Sequence, residues 1–311
     1  MDWFLITPIL AAAIRAGTPL VFAGLGELIM EKSGVLNLGL EGIMLISALT
    51  GFVTAYTTGS LTMAILAAAL IGGIVSLLHG WICISLQGNQ IVSGLAIAMF
   101  GTGLSGYLGT NWIGVAPKVS FSVVPIPLLS DIPWVGPILF SHNPMVYLSY
   151  LLAPTMAFFL YKTEWGLDVR ACGENPEAAD AMGLNISNIR YGCVFFGGML
   201  IGLSGAYLSL AYTSMWVEKM SAGRGWIAIA IVIFSGWKPS RLVWGAYLFG
   251  GIEALQLRLQ ASGKFTDVPV YFLSMLPYIF TILVLLLAKI KKGGDDVPKA
   301  LARPFSRESY H

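Results

Sequence analysis

"GENPEAADAMG", residues 173–183, is the polar exception in an oily chain. Between Ser33 and Pro117 there is one charged side chain, Glu41. Residues 162–190 then carry eight: Lys162, Glu164, Asp168, Arg170, Glu174, Glu177, Asp180 and Arg190. Of all 311 residues, 56% are hydrophobic and 11% charged, with a mean hydropathy of +0.77. An ordinary soluble domain is about 25% charged. Apolar runs of about 20 residues recur, the length that crosses a bilayer as a helix. One soluble domain of this size cannot bury so many helices all round. The sequence therefore predicts an all-α, polytopic helical membrane protein.

Nine spans are expected, at roughly 4–28, 36–56, 61–86, 91–112, 144–161, 191–211, 225–237, 241–259 and 270–289. The seventh is short and ends at "SGWKPS", which suggests a broken or half-membrane segment. Residues 113–143 read as an irregular loop, rich in proline, with one short interfacial helix. Residues 1–290 form a single transmembrane domain with its wet loop at 162–190, and residues 291–311 form a tail. Lys and Arg favour the cytoplasmic side. If the tail is cytoplasmic, the inner loops hold Lys32, Lys162, Arg170, Arg190, Lys238, Arg241 and six tail residues. The outer loops then hold Lys118, Lys219, Arg224 and Lys264. That excess puts the C-terminus inside and, across nine spans, the N-terminus outside. No basic stretch precedes the long first apolar run, so a cleavable signal is not expected.

Two ridges of small residues, Gly72-Ser76-Gly80 and Gly198-Gly202-Ala206, suit close helix packing. Cys83, Cys172 and Cys193 lack metal or redox spacing and read as small apolar fillers.

The wet loop carries its own start and stop signals. Asn175 is a good N-cap, and Pro176 suits the first helical position. Glu177 and Asp180 sit near the positive end of the helix dipole. Ala178, Ala179, Ala181 and Met182 favour helix, and Gly183 ends it. A helix of about seven residues is unstable alone and needs a surface to rest on. Ala178, Ala181 and Met182 form a small apolar face. That face suits either a partner's groove or the chain's own membrane domain.

"GENPEAADAMGLNISNIR" resembles the cytoplasmic coupling loop of ABC-importer permeases. The matching residues are Gly173, Asn175, Pro176, Ala178, Ala179 and Gly183. Four other stretches resemble the nucleoside and simple-sugar branch, which is related to the ribose and branched-chain amino acid permeases: "EKSGVLNLGLEG" (31–42), "GNQIVSGLA" (88–96), "AGRGWIAIAIVIFSGW" (222–237) and "EALQLRLQ" (253–260). The resemblance implies a bacterial inner-membrane importer subunit. Gly173, Glu174, Asn175, Pro176, Glu177, Ala178, Ala179 and Gly183 would then couple it to a cytoplasmic ABC ATPase. The chain has no GxxxxGK[ST], so ATP and Mg would belong to that separate polypeptide, and no cofactor is expected here. The other implied partners are a second, different permease, an extracytoplasmic solute-binding lipoprotein, a small-molecule solute and membrane lipid. Nucleic acid is not among them. The resemblance favours a nucleoside, then a simple sugar, then a riboflavin-like heterocycle.

Pathway residues follow from cost. Ionisable groups inside a membrane line water or face a partner, and broken helices are a common way to build a transport site. Gly34, Asn37 and Gly39 make continuous helix doubtful just before Glu41. Asn37 and Glu41 are therefore pathway candidates, with an interhelical hydrogen bond as the plainer role. Asn89, Gln90 and Ser93 form a polar start to the fourth span, at the pathway's mouth or as a helix cap. Arg15 and Glu253 each suit half of a buried ion pair. Trp216 and Trp226 suit interfacial anchoring, and His79 suits packing. No nucleophile–base set is present, which argues against an intramembrane enzyme. The competing reading is an ion-coupled secondary transporter.

Overall fold

The computed structural model describes residues 3–261, 272–273, 275–290 and 297–306. Small residues decide which of its helices touch. The first, α1 (Trp3–Lys32), is followed by α2 (Leu40–Thr58), α3 (Leu61–Gly80) and α4 (Gln90–Gly109). A five-residue π turn, Trp81–Ser85, prolongs α3. After the proline-rich loop come α5 (Val135–Leu139) and α6 (Pro144–Lys162). The wet loop holds α7 (Glu164–Glu174) and α8 (Pro176–Ala181). The chain then runs through α9 (Ile186–Tyr207), α10 (Arg224–Ser235), α11 (Pro239–Ala261) and α12 (Leu276–Ile290).

Six described helices are long and apolar enough to cross a bilayer: Ile6–Lys32, Leu40–Thr58, Leu61–Ser85, Gln90–Trp112, Pro144–Lys162 and Ile186–Tyr212. They correspond to the first six expected spans. The seventh is a 12-residue apolar helix, α10, too short to cross unaided. The eighth, α11, is long enough at 23 residues but more polar, carrying Glu253, Gln256 and Arg258. The ninth falls partly outside the described residues.

The burial of these helices sorts them into layers. The most apolar windows of α1, α2 and α9 are 72%, 67% and 72% buried, whereas that of α6 is 22% buried. So α1, α2 and α9 form the centre, and α3, α4 and α6 keep apolar faces outward. Leu70 and Ile74 on α3, Met99 and Phe100 on α4, and Leu151 and Phe158 on α6 are all exposed, as a lipid solvent requires.

The two small-residue ridges pack on one another. A methyl at Gly72 of α3 would lie 2.5 Å from the Gly198 carbonyl oxygen of α9. A methyl at Gly101 of α4 would come equally close to Gly42 of α2. Close backbones let van der Waals contact replace the missing hydrophobic drive in lipid. The second of the two prolines in α1, Pro19, shows the other membrane rule, that every backbone group must be satisfied. Pro19 has no N–H for the carbonyl of Arg15. The Tyr207 hydroxyl donates to that carbonyl at 2.9 Å, and Ser204 donates to the carbonyl of Pro19 at 2.7 Å.

The loop at 113–143 is mostly irregular and contains the expected short helix, α5. It also holds a two-residue strand pair, β1 (Val124–Pro125) with antiparallel β2 (Ser141–His142). Residues 297–306 lie against α7, α8 and the end of α1. The tail, the wet loop and the α1–α2 junction therefore share one side of the molecule.

Candidate functional site

The helix breaks where glycine and asparagine suggest it. Residues 33–39 are not helical, yet Ser33 and Asn37 are fully buried. Irregular backbone at this depth needs partners for its polar groups. The Leu36 N–H donates to Gln90 Oε1 at 2.7 Å. Its carbonyl meets His79 Nε2 at 3.0 Å. A carbonyl only accepts, so Nε2 carries the hydrogen, and Nδ1 of the neutral ring accepts from Ser93 Oγ at 3.0 Å. The Asn37 N–H donates to Glu27 Oε1 at 2.9 Å, and Asn37 Oδ1 accepts from the Gly39 N–H at 2.8 Å. The Ser33 carbonyl takes Arg190 Nε at 3.2 Å and the Cys172 thiol at 3.5 Å. Burial pushes that thiol's pKa up, so it stays a protonated donor.

The broken segment climbs into the protein. Gly39 and Gly42 lie against Ile97 and Ala98. That contact is well past Gln90, the start of α4, and about 10 Å deep at the helical rise. Glu41 sits there, in the first turn of α2. Its Oε1 accepts from Ser221 Oγ at 2.5 Å and from the Gly223 N–H at 2.8 Å, and Oε2 accepts from the Gly225 N–H at 2.8 Å. One carboxylate thus caps the N-terminus of α10 from the N-terminus of α2, where both helix dipoles favour negative charge. Between Tyr212 and Arg224 the chain turns back inward. Trp216 packs on Gly109 at the far end of α4, and Ser221 reaches Glu41. So α10 is a half-helix that starts inside the molecule and ends at Ser235, two residues before Trp237, whose indole N–H donates to Glu31.

Of the candidate residues, Asn37, Glu41, Gln90 and Ser93 come together around this break. Asn89 stands apart as the exposed N-cap of α4, accepting from the Ile91 and Val92 N–H groups. His79 is a hydrogen-bonded bridge as well as a packed side chain. Two further buried carboxylates escaped the sequence reading, Glu27 and Glu31, one turn apart on α1. Each leaves one oxygen without a hydrogen bond among the described residues. Their signal was the i, i+4 acidic pair where the first apolar run ends.

The wet loop folds as its caps dictate. Asn175 Oδ1 accepts from the Ala178 N–H at 3.0 Å, Pro176 opens α8, and Gly183 leaves it with φ +90°. Glu177, Ala178, Ala181 and Met182 are exposed, Met182 at 84%. Ala179 points the other way. It is buried with Cys172, Ile186 and Phe305, so it anchors the helix and is not part of the free face. Glu174 pairs with Lys299, and Gly173 packs on the end of α1, where a side chain would strike the Lys32 carbonyl.

Glu253 is half of a partly buried ion pair, as expected of it, with Arg224, whose guanidinium lies 5.2 Å from the Tyr212 ring. Other expectations need correction. Arg15 is exposed. Trp216 is 1% exposed because the re-entrant segment carries it under α4; Trp226, at 41%, is free to anchor. Arg190 is buried in α9 and does not act as a loop charge.

Three cavities bear on what could pass. The largest of them, about 470 Å³, is apolar and lies between α6, α7 and α9, beside Phe159 and Phe196. One of about 260 Å³ lies between α10, α11 and α12, beside Arg224, Glu253 and Tyr278. The third, about 250 Å³, separates the start of α8 from the tail.

Half-helices that start inside a bundle, with a polar loop helix on one side, suit a transporter. The sequence family described as "Branched-chain amino acid transport system / permease component" matches residues 9–287. The chain belongs to this family. It is a multi-pass membrane permease, a transport component and not an enzyme. It is 40% identical, over 96% of its length and 98% of the relative's, to the "Putative glucose ABC transporter permease protein TsgC13" of Haloferax volcanii. It is 35% identical to the nucleoside ABC transporter permease protein NupC of Lactococcus lactis subsp. cremoris, over 94% of each chain. It is 34% identical to the guanosine ABC transporter permease protein NupQ of Bacillus subtilis, over 97% of each. In fold, the permease resembles a solved inward-facing "putative metal-chelate type ABC transporter", with a TM-score of 0.51 and 14% identity over 90% of this chain and 85% of the other.

Proposed function

We propose that this permease forms the translocation pathway of an ABC importer for a nucleoside, in a bacterial inner membrane. The pathway passes the α1–α2 break and the start of α10, with Asn37, Glu41, Gln90 and Ser93 at its wall and Asn89 at its cytoplasmic mouth. A separate ATPase, holding ATP and Mg, docks on α8 and the residues that shape it: Gly173, Glu174, Asn175, Pro176, Glu177, Ala178 and Gly183. Ala179 supports that surface from beneath. A second permease and a solute-binding lipoprotein complete the machine. Nine spans, a cytoplasmic tail and an outside N-terminus are part of the same reading, as is the division into a membrane domain (1–290) and a tail (291–311).

One observation carries it. The small apolar face of α8 is left open although its opposite side is packed. A short loop helix made only to rest on its own domain would carry polar residues on its outer side, where this one shows Ala178, Ala181 and Met182. Two relatives named for nucleosides or guanosine favour the substrate. The relative at 40% identity is named for glucose, which favours a sugar as the second reading.

Ala178→Trp adds bulk where the free face must enter a cleft, without disturbing the packing under Ala179. The expected result is normal membrane insertion, loss of the co-purified ATPase and loss of uptake. Retained ATPase with normal uptake would remove α8 from the coupling role. Competition of labelled nucleoside uptake by unlabelled nucleosides against sugars separates the two substrates. For topology, cysteines at Ser60 and Ser130 should react with an impermeant thiol reagent in intact cells, while one at Asn188 should not. The reverse pattern would put the loop on the wrong side.

A further inference from the structure

Residues 297–306 read VPKALARPFS, in which five good helix formers are confined between two prolines, too short a run to be stable alone. Such a segment needs outside partners to hold a fixed path, and it has them. The Ala300 N–H donates to the Gly173 carbonyl at 2.9 Å, one residue before the end of α7. The Ala302 N–H donates to the Gly34 carbonyl at 3.2 Å, inside the α1–α2 break. Ala300 is buried at 5% exposure, Leu301 packs on the main core, and Phe305 packs under α8 with Ala179. Lys299 pairs with Glu174. The segment thus holds the wet loop at both ends, through Lys299 and Ala300 and through Phe305, and the broken helix at its middle, through Ala302.

Arg190 stands at the crossing point. From the first turns of α9 its Nε donates to the Ser33 carbonyl at 3.2 Å and its Nη1 to the Arg303 carbonyl at 3.3 Å. It is buried at 1% exposure, where a guanidinium is costly unless it holds something. Gly34 completes the joint. Its φ is +94°, and a methyl there would meet Arg190 Nη2 at 2.9 Å and the Ala300 carbonyl oxygen at 3.3 Å.

We propose that residues 297–306 are a strap and Arg190 its positioning residue, and that together they make α8 and the α1–α2 break move as one body. This rests on the reading of α8 as the ATPase dock. A displacement of α8 reaches Phe305 and Gly173, passes along the strap to Gly34, and arrives at the backbone that carries Asn37 and leads into Glu41. Arg190 sets the angle between strap and break because one planar group holds a carbonyl of each.

The test uses the assembled transporter, permease with its ATPase, in proteoliposomes. Three quantities are read: ATPase retained, ATP hydrolysed, and solute moved per ATP. A stop codon in place of Val297 removes the strap. The expected result is bound, hydrolysing ATPase with solute moved per ATP reduced about fivefold or more, the low end of usual coupling strengths. An unchanged ratio would overturn the proposal. Arg190→Lys keeps the charge but cannot span both carbonyls, so it should lower the same ratio with membrane levels unchanged. It serves as the decisive variant if the truncated chain assembles poorly, and a normal ratio there would overturn the positioning role. The double variant should be no worse than truncation, since both act on one path; multiplying effects would mean two separate ones. If Ala178→Trp still binds the ATPase, the docking reading fails by itself, and the per-ATP ratio of the strap variants still decides the strap.

Discussion

The α1–α2 break and the α8 loop are both interruptions between long helices, and they treat their polar groups in opposite ways. In the break, the N–H groups of Ser33, Gly34 and Val35 turn back to carbonyls at the end of α1. The buried groups that this turn cannot serve are taken by side chains of other turns and helices: Gln90 and His79 hold Leu36, Glu27 holds the Asn37 N–H, and Arg190 holds the Ser33 carbonyl. In the loop, the polar groups are settled by near neighbours, Asn175 to Ala178 and Asp180 to Gly183, and one face is left open. Water explains the contrast. A solvated helix end needs only its cap, because water serves the rest. A backbone in a membrane has no such reserve. Damage to the break should therefore cost stability and transport together. Damage to the outer face of α8 should cost only the partner.

The sharpest way to break that contrast lies within α8 itself. Ala179→Arg forces a long cation into the contact with Cys172, Ile186 and Phe305. Overpacking alone costs about 1–3 kcal/mol, and burying an unpaired charge adds to it. The loop should unfold locally, with faster proteolysis at residues 162–190 and less assembled permease. Its neighbour Ala178→Trp should show neither change. Equal proteolysis of the two would mean that α8 has no inner and outer side.

Glu41→Gln comes next in size and probes the break. Glu41 Oε1 already accepts two hydrogen bonds, and a glutamine oxygen can keep both. The new amide nitrogen then faces the Gly225 N–H, donor against donor. Leaving that buried group unpaired costs about 1–3 kcal/mol. Thermal unfolding of the purified permease should shift downward, and uptake should fall with the ATPase still bound. Full uptake with a lowered unfolding temperature would make Glu41 a helix cap and remove it from the pathway.

The same contrast accounts for what could be read in advance. The ends of α8 were legible almost to the residue, because Asn175, Pro176 and Gly183 act on backbone within three or four positions. The break was legible for the same reason, from Gly34, Asn37 and Gly39. Its partners were not. Gln90 and His79 meet Leu36 only because the start of α4 and the end of α3 pass beside the break, and no spacing in the chain encodes that. Arg224 claims Glu253 because the segment after Tyr212 folds inward, which also buries Trp216. A window of apolar residues cannot distinguish a full span from α10, which starts within the bundle. The inward face of Ala179 depends on Phe305, more than a hundred residues later. Composition gave the membrane class, since lipid imposes it on every segment. The small-residue ridges were legible as packing faces because close approach leaves few alternatives to glycine, but that the two meet each other was not.

The smallest expected effect belongs to Pro176→Gly, and it sharpens the claim that the loop's order is local. Pro176 sits at the first position of α8, where its lacking N–H is free of cost and its φ is already helical. Glycine keeps the Asn175 cap but widens the unfolded ensemble of the first turn. The penalty should be about 0.5–1 kcal/mol, against a helix that rests on Ala179 and the strap beneath it. The native fold should persist with normal membrane levels. Hydrogen exchange should quicken at Ala178 and Ala179, whose N–H groups point back to Asn175, and stay unchanged at Leu36 and Asn37. Co-purified ATPase should drop slightly, because the docking helix must be ordered before it binds. A collapse of transport from this substitution would show that the proline itself contacts the partner. Faster exchange at Leu36 would show that the break depends on the order of α8, so that the two interruptions are not independent in their hydrogen bonding.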